Sequence, residues 1–338
     1  MDIHAQPTPF FHPNMHLPLG ADAPWLAPLA GYSDLPFRLL CRAYGAACAV
    51  SEMVSAKGLM YKSSGTKALL QTSPADAPLV VQLYGAEPEI VGRAMDELLA
   101  RGFGWFDLNA GCPVPKVAKA GCGAAMLRDA QSRANLRAVV QTMVERAGPG
   151  RVGVKLRRGW TRGDDVYLEL GPELEDLGAA WLTLHPRWAR QGFAGEADWA
   201  CIGRLVAAVR IPVLASGDLH TAADGLRCQK ETGAAGLMFA RGALADPAIF
   251  LRYCALRRGE SSCEDPTVLK LDLLRLIRRH IAFSRTASVS DHLALLKMRS
   301  FIPRYLRSVP GARALRKNIT SCTEWNQLDA LLNEFLVS

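Results

Sequence analysis

A cysteine follows the end of an apolar segment in the stretch LNAGCPVPK, residues 108–116. Cys112 could be a buried apolar side chain, a metal ligand, a nucleophile or a proton donor. A metal site would need further ligands at a suitable spacing, and none lie near it in the sequence. A nucleophile would need a base, which His185 could supply. A thiol with an ordinary pKa of about 8.5 stays mostly protonated at neutral pH and could instead act as an acid.

Each of eight apolar segments between residues 25 and 242 ends in residues that suit a binding site better than a core. Buried polar groups are costly when unpaired, so we expect these segment ends to form one shared rim. Four of them provide two amides, an ammonium and an imidazole, which suit a flat heteroaromatic ring such as a flavin. The segment ends are Pro28, Glu52, Gln82, Asn109, Lys155, His185, Ser216 to Asp218, and Arg241 with Gly242; the four are Gln82, Asn109, Lys155 and His185.

The last two segments end in small residues close to an arginine. Their sequences are ASGD (215–218) and FARGA (239–243). Small residues allow backbone N–H groups to approach an anion, and Arg241 adds a charge-assisted hydrogen bond. Two ordinary turns with a surface arginine would look the same in isolation. Next to a flavin ring, the pattern favours a site for the phosphate of FMN.

The eight segments have the length and composition of buried parallel strands, and amphipathic helical segments lie between most of them. Residues 88–102 and 132–148, for example, predict helices. Strand and helix alternate eight times, which is typical of a (β/α)8 TIM barrel with its functional residues at the carboxyl ends of the strands. A doubly wound sheet is the alternative, but no GxGxxG turn follows the first strand. The predicted strands are 25–29, 46–53, 79–85, 105–111, 151–157, 181–186, 211–218 and 234–242.

The strand pattern stops after about residue 250, and the remaining sequence predicts a small helical bundle. Residues 268–284, 292–309 and 323–336 have amphipathic helical patterns, and Pro303 should kink or end the second helix. Residues 251–338 hold 15 of the 40 Lys and Arg residues but only 8 of the 32 Asp and Glu residues. This excess of positive charge favours a polyanionic partner, and a solvated basic face is the simpler alternative.

The chain of 338 residues therefore divides into three predicted parts. Residues 1–24 form a poorly ordered leader, residues 25–255 the barrel and residues 256–338 the basic helical domain. No apolar run reaches the ~18 residues that cross a membrane. The leader lacks Lys and Arg and does not resemble a secretory signal. Nine cysteines without a CxxC pair indicate reduced thiols, so we expect a cytoplasmic protein.

Seven motifs, in this order along the chain, resemble the tRNA-dihydrouridine synthase family. The resemblance continues more faintly through KMRSFIPRYLRSVPGARALRKNI (297–319), which is similar to the family's C-terminal helical domain. The stretch around Cys112 is the most specific of the motifs. They are APLAGYSDLPFR (27–38), VQLYG (81–85), LNAGCPVPKVAKAGCGAAMLRD (108–129), VKLRRGW (154–160), HPRWARQGFAGEADW (185–199), ASGD (215–218) and ARGAL (240–244).

The resemblance implies a TIM-barrel enzyme with bound FMN that reduces the C5=C6 bond of particular uridines in tRNA, with NADPH as electron donor. Cys112 would protonate C5 after hydride transfer from the flavin to C6. Asn109 and Arg187 would hold the uracil, and the basic helical domain would bind the tRNA backbone. No metal and no membrane take part, and the enzyme is expected to act as a monomer. The residues implied in FMN binding are Pro28, Leu29, Ala30, Gln82, Ser216, Gly217, Asp218, Ala240 and Arg241, with Lys155 and His185 at flavin or uracil oxygens.

Two of the motifs depart from the family pattern, at three places. Leu29 replaces a common Met, HPRW at 185–188 replaces a common His-Gly-Arg-Thr, and Phe193 replaces a common Tyr. Two other functions fit part of the sequence: a flavin oxidoreductase acting on a free pyrimidine, and a non-catalytic tRNA-binding protein. The basic C-terminal domain argues against the first, and Cys112 together with the flavin-binding set argues against the second.

Overall fold

The computed structural model describes residues 16–61, 63–260 and 265–337. Within them, parallel strands form one sheet: β1 (Trp25–Leu26), β2 (Cys48–Val50), β3 (Val54–Ser55), β4 (Leu79–Tyr84), β5 (Trp105–Ala110), β6 (Val152–Gly159), β7 (Trp181–Trp188), β8 (Val213–Ala215) and β9 (Gly236–Phe239). The sheet closes into a barrel because β1 pairs with both β2 and β9, and β2 pairs with β4. The short strand β3 pairs with β4 further along the chain than β2 does. β2 and β3 together therefore occupy one of the eight strand positions of the barrel. The predicted TIM barrel is confirmed.

Helices connect the strands and surround the barrel. The predicted helices at 88–102 and 132–148 are present as α4 (Pro88–Ala100) and α6 (Ala130–Ala147). The first of these begins with a proline in its first turn and buries Val91, Met95 and Leu98 in the core. The helices are α1 (Leu35–Ala43), α2 (Ala56–Met60), α3 (Ser64–Leu69), α4 (Pro88–Ala100), α5 (Pro115–Ala118), α6 (Ala130–Ala147), α7 (Tyr167–Asp176), α8 (Ala200–Ala208), α9 (Ala222–Thr232), α10 (Arg241–Ala245) and α11 (Ile249–Arg257).

The barrel interior changes from apolar to polar along the strands. Near their amino-terminal ends, Trp25, Trp105 and Trp181 belong to one buried apolar cluster. The rings of Trp25 and Trp181 meet edge to face, with centroids 5.7 Å apart. Strand residues two positions apart point to the same side, so Asp107 and Asn109 follow Trp105 into the interior. The interior is therefore polar at the carboxyl ends of the strands, where the predicted site lies.

The segment before β1 covers the opposite, amino-terminal end of the barrel. Leu17 and Leu19 pack against the tryptophan cluster. The Trp25 Nε1–H group donates a hydrogen bond to the carbonyl oxygen of Pro18 at 2.8 Å. These contacts hold the segment on the barrel, and residues 1–15 of the predicted leader lie outside the described residues.

A helical bundle follows the barrel, as predicted. Its helices are α12 (Pro266–Ala287), α13 (Asp291–Tyr305), α14 (Arg313–Ser321) and α15 (Trp325–Val337). Pro303 lies in the last turn of α13, two residues before the helix ends. The sequence pattern does not predict α14, since Ile319 is its only buried residue. The predicted domain boundary after residue 255 falls inside α11. Among the described residues, no helix has both the length and the apolar content that a membrane span requires.

The bundle packs against the barrel next to β1 and α1. The Phe301 ring of α13 stacks on Phe37 of α1, with centroids 5.1 Å apart. The same ring meets His280 of α12 edge to face at 4.7 Å. His280 is completely buried, and its Nδ1 atom lies 2.8 Å from the Tyr305 hydroxyl. The two helices therefore share an aromatic core with the barrel surface.

Two polar contacts join α13 to the loop that follows β1. The Lys297 ammonium pairs with the Asp34 carboxylate, and the Arg304 guanidinium donates to the Tyr32 hydroxyl. Asp34 also caps the amino terminus of α1 through the backbone N–H of Phe37. The loop after β1 is thus held by the bundle on one side and by its own helix on the other.

Candidate active site

A cavity of about 250 Å³ opens at the carboxyl ends of the barrel strands. It brings together residues as distant in the sequence as Pro28 and Arg241. Of the residues predicted to act in catalysis or to bind FMN or uracil, all line it except Gln82 and Arg187, and the predicted rim residues Glu52 and Gly242 are also outside the lining. Those in the lining are Pro28, Leu29, Ala30, Asn109, Cys112, Lys155, His185, Ser216, Gly217, Asp218, Ala240 and Arg241.

Gln82 lies inside the barrel, below the cavity lining, and is completely buried. Its Nε2 atom donates to Asp107 Oδ2 at 2.6 Å, and its Oε1 atom accepts from Asn109 Nδ2 at 2.8 Å. Both ends of this amide are therefore engaged within the protein. Gln82 supports the residues of the cavity wall and does not line the cavity itself.

Asn109 connects β5 to the loop that carries the cysteine. Its Oδ1 atom accepts hydrogen bonds from the backbone N–H groups of Cys112, at 2.9 Å, and of Gly111, at 3.2 Å. An asparagine side chain that accepts from residues two and three positions later stabilises a tight turn. Asn109 thus sets the course of the chain from the end of β5 to Cys112.

The chain after the cysteine folds back against it. A short 3₁₀ helix spans Gly123–Leu127, and the Ala124 N–H donates to the Cys112 carbonyl oxygen at 2.9 Å. Gly123 has φ +61°, and a Cβ atom there would lie 2.6 Å from the Cys112 carbonyl oxygen. Only glycine fits this close approach. In the sequence AGCGA at 120–124, a side chain at the second glycine, Gly123, would therefore clash with Cys112.

The Cys112 thiol is partly exposed to the cavity. Burial raises the pKa of Cys112 above its ordinary value, while a hydrogen bond from the Val114 backbone and the positive charges of Arg157 and Lys155 lower it to a smaller extent. The net shift is upward, so the thiol carries its proton at neutral pH. An acid is the role that this environment favours among those the sequence leaves open.

Lys155 and His185 stand on the neighbouring strands β6 and β7. Burial lowers the pKa of Lys155 to about 8, and the charge of Asp107 opposes that shift. Burial, followed by the charge of Lys155, lowers the pKa of His185 well below its ordinary value. Arg187 Nη1 lies 3.2 Å from His185 Nε2, and a guanidinium can only donate. The imidazole is therefore neutral, with its proton on Nδ1.

Arg187 is buried beside the cavity and does not line it. Its Nη1 and Nη2 atoms donate to Asp218 Oδ1 and Oδ2 at 2.9 and 2.6 Å. Asp218 also accepts from Arg241 Nη2 at 2.7 Å and from the Ala197 N–H at 2.8 Å. Burial alone would raise the pKa of Asp218, but the hydrogen bonds from Arg187 and Ala197 lower it below its ordinary value. The carboxylate is thus held ionised between two arginines.

The loop after β8 passes close to other side chains of the site. Gly217 has φ +110°, and a Cβ atom there would lie 2.8 Å from His185 Cδ2. Asp218 adopts φ 54°, which is uncommon outside glycine. Arg241 begins α10, and its side chain remains 44% exposed. Gly217 and the half-exposed guanidinium of Arg241 therefore lie at the same side of the cavity.

The sequence pattern misses several residues of the cavity wall. Arg157 is completely buried apart from its access to the cavity. Its Nε atom donates to the Gly111 carbonyl oxygen at 2.9 Å, and Nη1 donates to the carbonyl oxygens of Trp188 and Gly192. It ties the cysteine loop to the loop after β7. Alternation along β6 could have found it, because Arg157 lies two residues after Lys155.

Asp107 and Phe193 were also outside the predicted set. Asp107 interrupts an apolar run two residues before Asn109, which is a detectable signal of a polar barrel interior. Phe193 lines the cavity mouth, and its ring centroid lies 6.0 Å from that of His185. Its position in a loop gives no periodic signal. Among the described residues, no cluster of three or more His, Cys, Asp or Glu side chains could hold a metal ion.

Comparison with known proteins matches this sequence to one family. A family model described as dihydrouridine synthase (Dus) matches residues 25–338. The chain is 33% identical over 294 residues to a probable tRNA-dihydrouridine synthase 1 of Synechocystis, covering 87% of this chain and 80% of that protein. It is 31% identical over 313 residues to tRNA-dihydrouridine synthase B of Pseudomonas aeruginosa, covering 92% and 91%.

Solved structures show the same barrel at low identity. An old yellow enzyme homologue from Zymomonas mobilis superimposes with a TM-score of 0.51 at 13% identity, covering 72% of this chain and 90% of that one. Morphinone reductase in complex with tetrahydroNAD has a TM-score of 0.51 at 14% identity, covering 75% and 94%. These likenesses concern the fold alone. The family model extends over the barrel and the bundle together, and the chain belongs to the dihydrouridine synthase family.

Proposed function

We propose that this chain reduces particular uridines of tRNA to 5,6-dihydrouridine, with bound FMN as the hydride donor and NADPH as the electron source. One observation carries the proposal: a protonated thiol, a half-buried ammonium and a neutral imidazole meet in a single cavity at the mouth of a TIM barrel. Family membership and the family names of the relatives support the same reaction.

The cavity has features that fit FMN. Gly217 lets the loop after β8 lie against His185, where a Cβ atom would clash, and Ser216 and Ala240 add little bulk to the cavity wall. Arg241 provides a guanidinium for the phosphate, which it would share with Asp218. The backbone of Pro28 to Ala30 forms the other wall. Gln82 would act on the ring indirectly, since its amide is bonded to Asp107 and Asn109.

The chemistry supplied by FMN, when it is bound, is delivery of a hydride to C6 of the uracil. Cys112 then transfers its thiol proton to C5, which forms the second C–H bond and leaves a thiolate. Solvent returns the proton to the thiolate before the next cycle. Lys155 would place a positive charge near flavin or uracil oxygens, where negative charge develops during reduction. Two hydrogens are added in total, one as hydride and one as proton.

The uracil would lie between Cys112 and the ring. Asn109 lines the cavity, so its amide lies at the edge of the space that a base would occupy. Arg187 acts through its neighbours, because its guanidinium is bonded to Asp218 and His185. The Nδ1–H group of His185 can donate to an oxygen of the base or of the ring.

The basic bundle, proposed as residues 256–338, would hold the tRNA next to the cavity. Lys297 and Arg304 are engaged with the barrel, whereas Arg307, Arg313 and Lys317 are among the exposed basic residues of the bundle and could contact phosphates. The target base must leave its stack to enter the barrel mouth. We further propose that the protein acts as a monomer and is cytoplasmic, the latter because its nine cysteines without a CxxC pair indicate reduced thiols.

The experiment combines purified protein, FMN, NADPH and tRNA that contains no dihydrouridine. Mass spectrometry of the digested tRNA should show a gain of two hydrogens at particular uridines. The same assay with free uridine tests the small-molecule alternative, and Cys112→Ala controls for the proton donor. Unmodified tRNA after complete NADPH oxidation, or efficient reduction of free uridine, would contradict the proposal.

A further inference from the structure

A carboxylate lies inside the barrel, beneath the cavity, and the mechanism above does not use it. Asp107 is 1% exposed and precedes Asn109 by two residues on β5. Its Oδ2 atom accepts a hydrogen bond from Gln82 Nε2 at 2.6 Å. Its Oδ1 atom is buried and has no hydrogen-bond partner among the described residues. A buried carboxylate with a free oxygen is costly, so such a residue calls for an explanation beyond packing.

This carboxylate determines the orientation of two amides in succession. The charge of Lys155 and the hydrogen bond from Gln82 favour the ionised form of Asp107. In that form the carboxylate only accepts, so Gln82 turns its NH₂ group toward Asp107 and its carbonyl toward Asn109. Asn109 must then turn its NH₂ group toward Gln82, at 2.8 Å, and its carbonyl toward the cysteine loop. That carbonyl accepts the Cys112 N–H at 2.9 Å. The hydrogen-bonded chain Asp107–Gln82–Asn109 therefore reaches the backbone of the proposed proton donor.

The same carboxylate opposes the charge of Lys155. Asn109 and Lys155 are paired across β5 and β6, so the lysine begins one layer above Asp107. Burial raises the pKa of Asp107 to about 7, and the positive charge of Lys155 opposes this. The other titratable or charged groups that act on Lys155 are Arg157, which lowers its pKa, and Cys112, which raises it. Asp107 is therefore the main negative group for this ammonium.

We propose that Asp107 is a positioning residue of this site: it orients the Gln82 and Asn109 amides that hold the Cys112 loop, and it is the internal counterion that keeps Lys155 cationic. The consequence for catalysis rests on the proposed function, while the two structural effects concern the chain alone. For that reason they are measured without FMN or tRNA.

The counterion role is tested with Asp107→Asn, which keeps an acceptor for Gln82 and removes the charge. Protein without FMN, labelled with ¹³C at the lysine ε-carbon, is titrated by NMR, and the Lys155 signal is assigned by its loss in Lys155→Arg. Removing an opposite charge should lower the Lys155 midpoint by about one pH unit. Asp176→Asn, at an exposed carboxylate, is the matched control and should leave it unchanged. An unchanged midpoint in Asp107→Asn would overturn the counterion role.

The orienting role is tested by adding Asp107→Leu, which removes both the acceptor and the charge. The rate of Cys112 alkylation by iodoacetamide is followed by peptide mass spectrometry in all three proteins. The leucine variant should change this rate several-fold, while the asparagine variant should stay close to the parent once the rates are compared at equal thiolate fraction. Equal rates in all three would overturn this role. Circular dichroism checks folding, and the NMR titration of Asp107→Asn decides the counterion role even if the leucine variant does not fold.

Discussion

The guanidinium of Arg187 and the carboxylate of Asp218 form a bidentate ion pair beside the cavity, with N–O distances of 2.9 and 2.6 Å. Arg187 is buried, and only one-fifth of the Asp218 side chain is exposed. The pair joins the strand that carries His185 to the loop that we propose for phosphate binding. It gives the arginine a structural role beside the substrate-binding one implied by the family resemblance.

Arg187→Met should therefore destabilise the folded protein. Asp218 would keep Arg241 and the Ala197 N–H but lose its buried partner, so we expect a loss of about 3 kcal/mol in the free energy of unfolding. Urea denaturation at neutral pH measures it. Arg241→Met is the control: this arginine is 44% exposed, and its loss should cost less than about 1 kcal/mol. Equal losses in both variants would contradict the distinction between them.

Cys112→Ala should remove the proton donor and leave the binding sites intact. We expect turnover of tRNA uridine to fall by about 10²- to 10⁴-fold, as loss of a general acid does. The dissociation constants for FMN and tRNA should stay within about twofold, because the Asn109 bond to this residue uses its backbone N–H. Single-turnover reduction, followed by flavin absorbance, separates chemistry from binding. Turnover close to that of the parent would exclude the thiol as the acid.

The burial of His280 should make the bundle less stable at acid pH. Burial lowers the pKa of His280 from 6.5 to about 3. Because the pKa of His280 is lower in the folded than in the unfolded protein, neutral His280 contributes fully to the free energy of unfolding above pH 6.5. That contribution is lost as the pH falls toward 3. Each unit of pKa difference is worth about 1.4 kcal/mol, so the loss over this range amounts to several kcal/mol.

The measurement is the free energy of unfolding as a function of pH. His280→Leu should lower stability at neutral pH, because the Tyr305 hydroxyl loses its partner, and should flatten the decline between pH 6.5 and 3. His292→Gln, at an exposed position, should keep the parent's slope. A decline of the same steepness without His280 would assign it to other groups.

Three exposed basic residues of the bundle should account for part of the tRNA affinity. Replacing Arg307, Arg313 and Lys317 together with Gln should weaken tRNA binding at low salt and reduce its dependence on salt. Each lost phosphate contact lowers the slope of log affinity against log salt by about 0.7 to 0.9. Filter binding at several salt concentrations measures both quantities. Arg210→Gln is the control, because this exposed arginine precedes β8 at the opposite end of the barrel.

The fold and the membership of the cavity could be predicted from the sequence because parallel strands impose a simple rule. Strand ends meet at one edge, so Asn109, Lys155 and His185 had to lie close together once the strands were recognised. What each side chain bonds to could not be predicted. Gln82 was assigned to the cofactor, yet its amide is bonded to Asp107 and Asn109, because strand register decides which interior residues face each other.

Loops limited the prediction as well. The resemblance implies that Arg187 holds the substrate, but its bonds to Asp218, which the turn after β8 places against it, could not be predicted. That turn depends on φ angles of +110° at Gly217 and 54° at Asp218, which short sequence patterns do not specify. Arg157 was missed because arginine in a strand suggests a surface position, whereas here three backbone carbonyl groups receive its hydrogen bonds.

The attachment of α13 to the loop after β1 has a consequence for protein engineering. Tyr32 and Asp34 hold Arg304 and Lys297, and the same loop supplies Pro28 to Ala30 to the cavity wall. A chimaera that takes its C-terminal helices from another family member would place foreign side chains against Tyr32 and Asp34. A chimaera that also takes residues 27–34 from the other protein would preserve the contacts between this loop and the helices. A chimaera that keeps the original loop should have a deformed cavity wall.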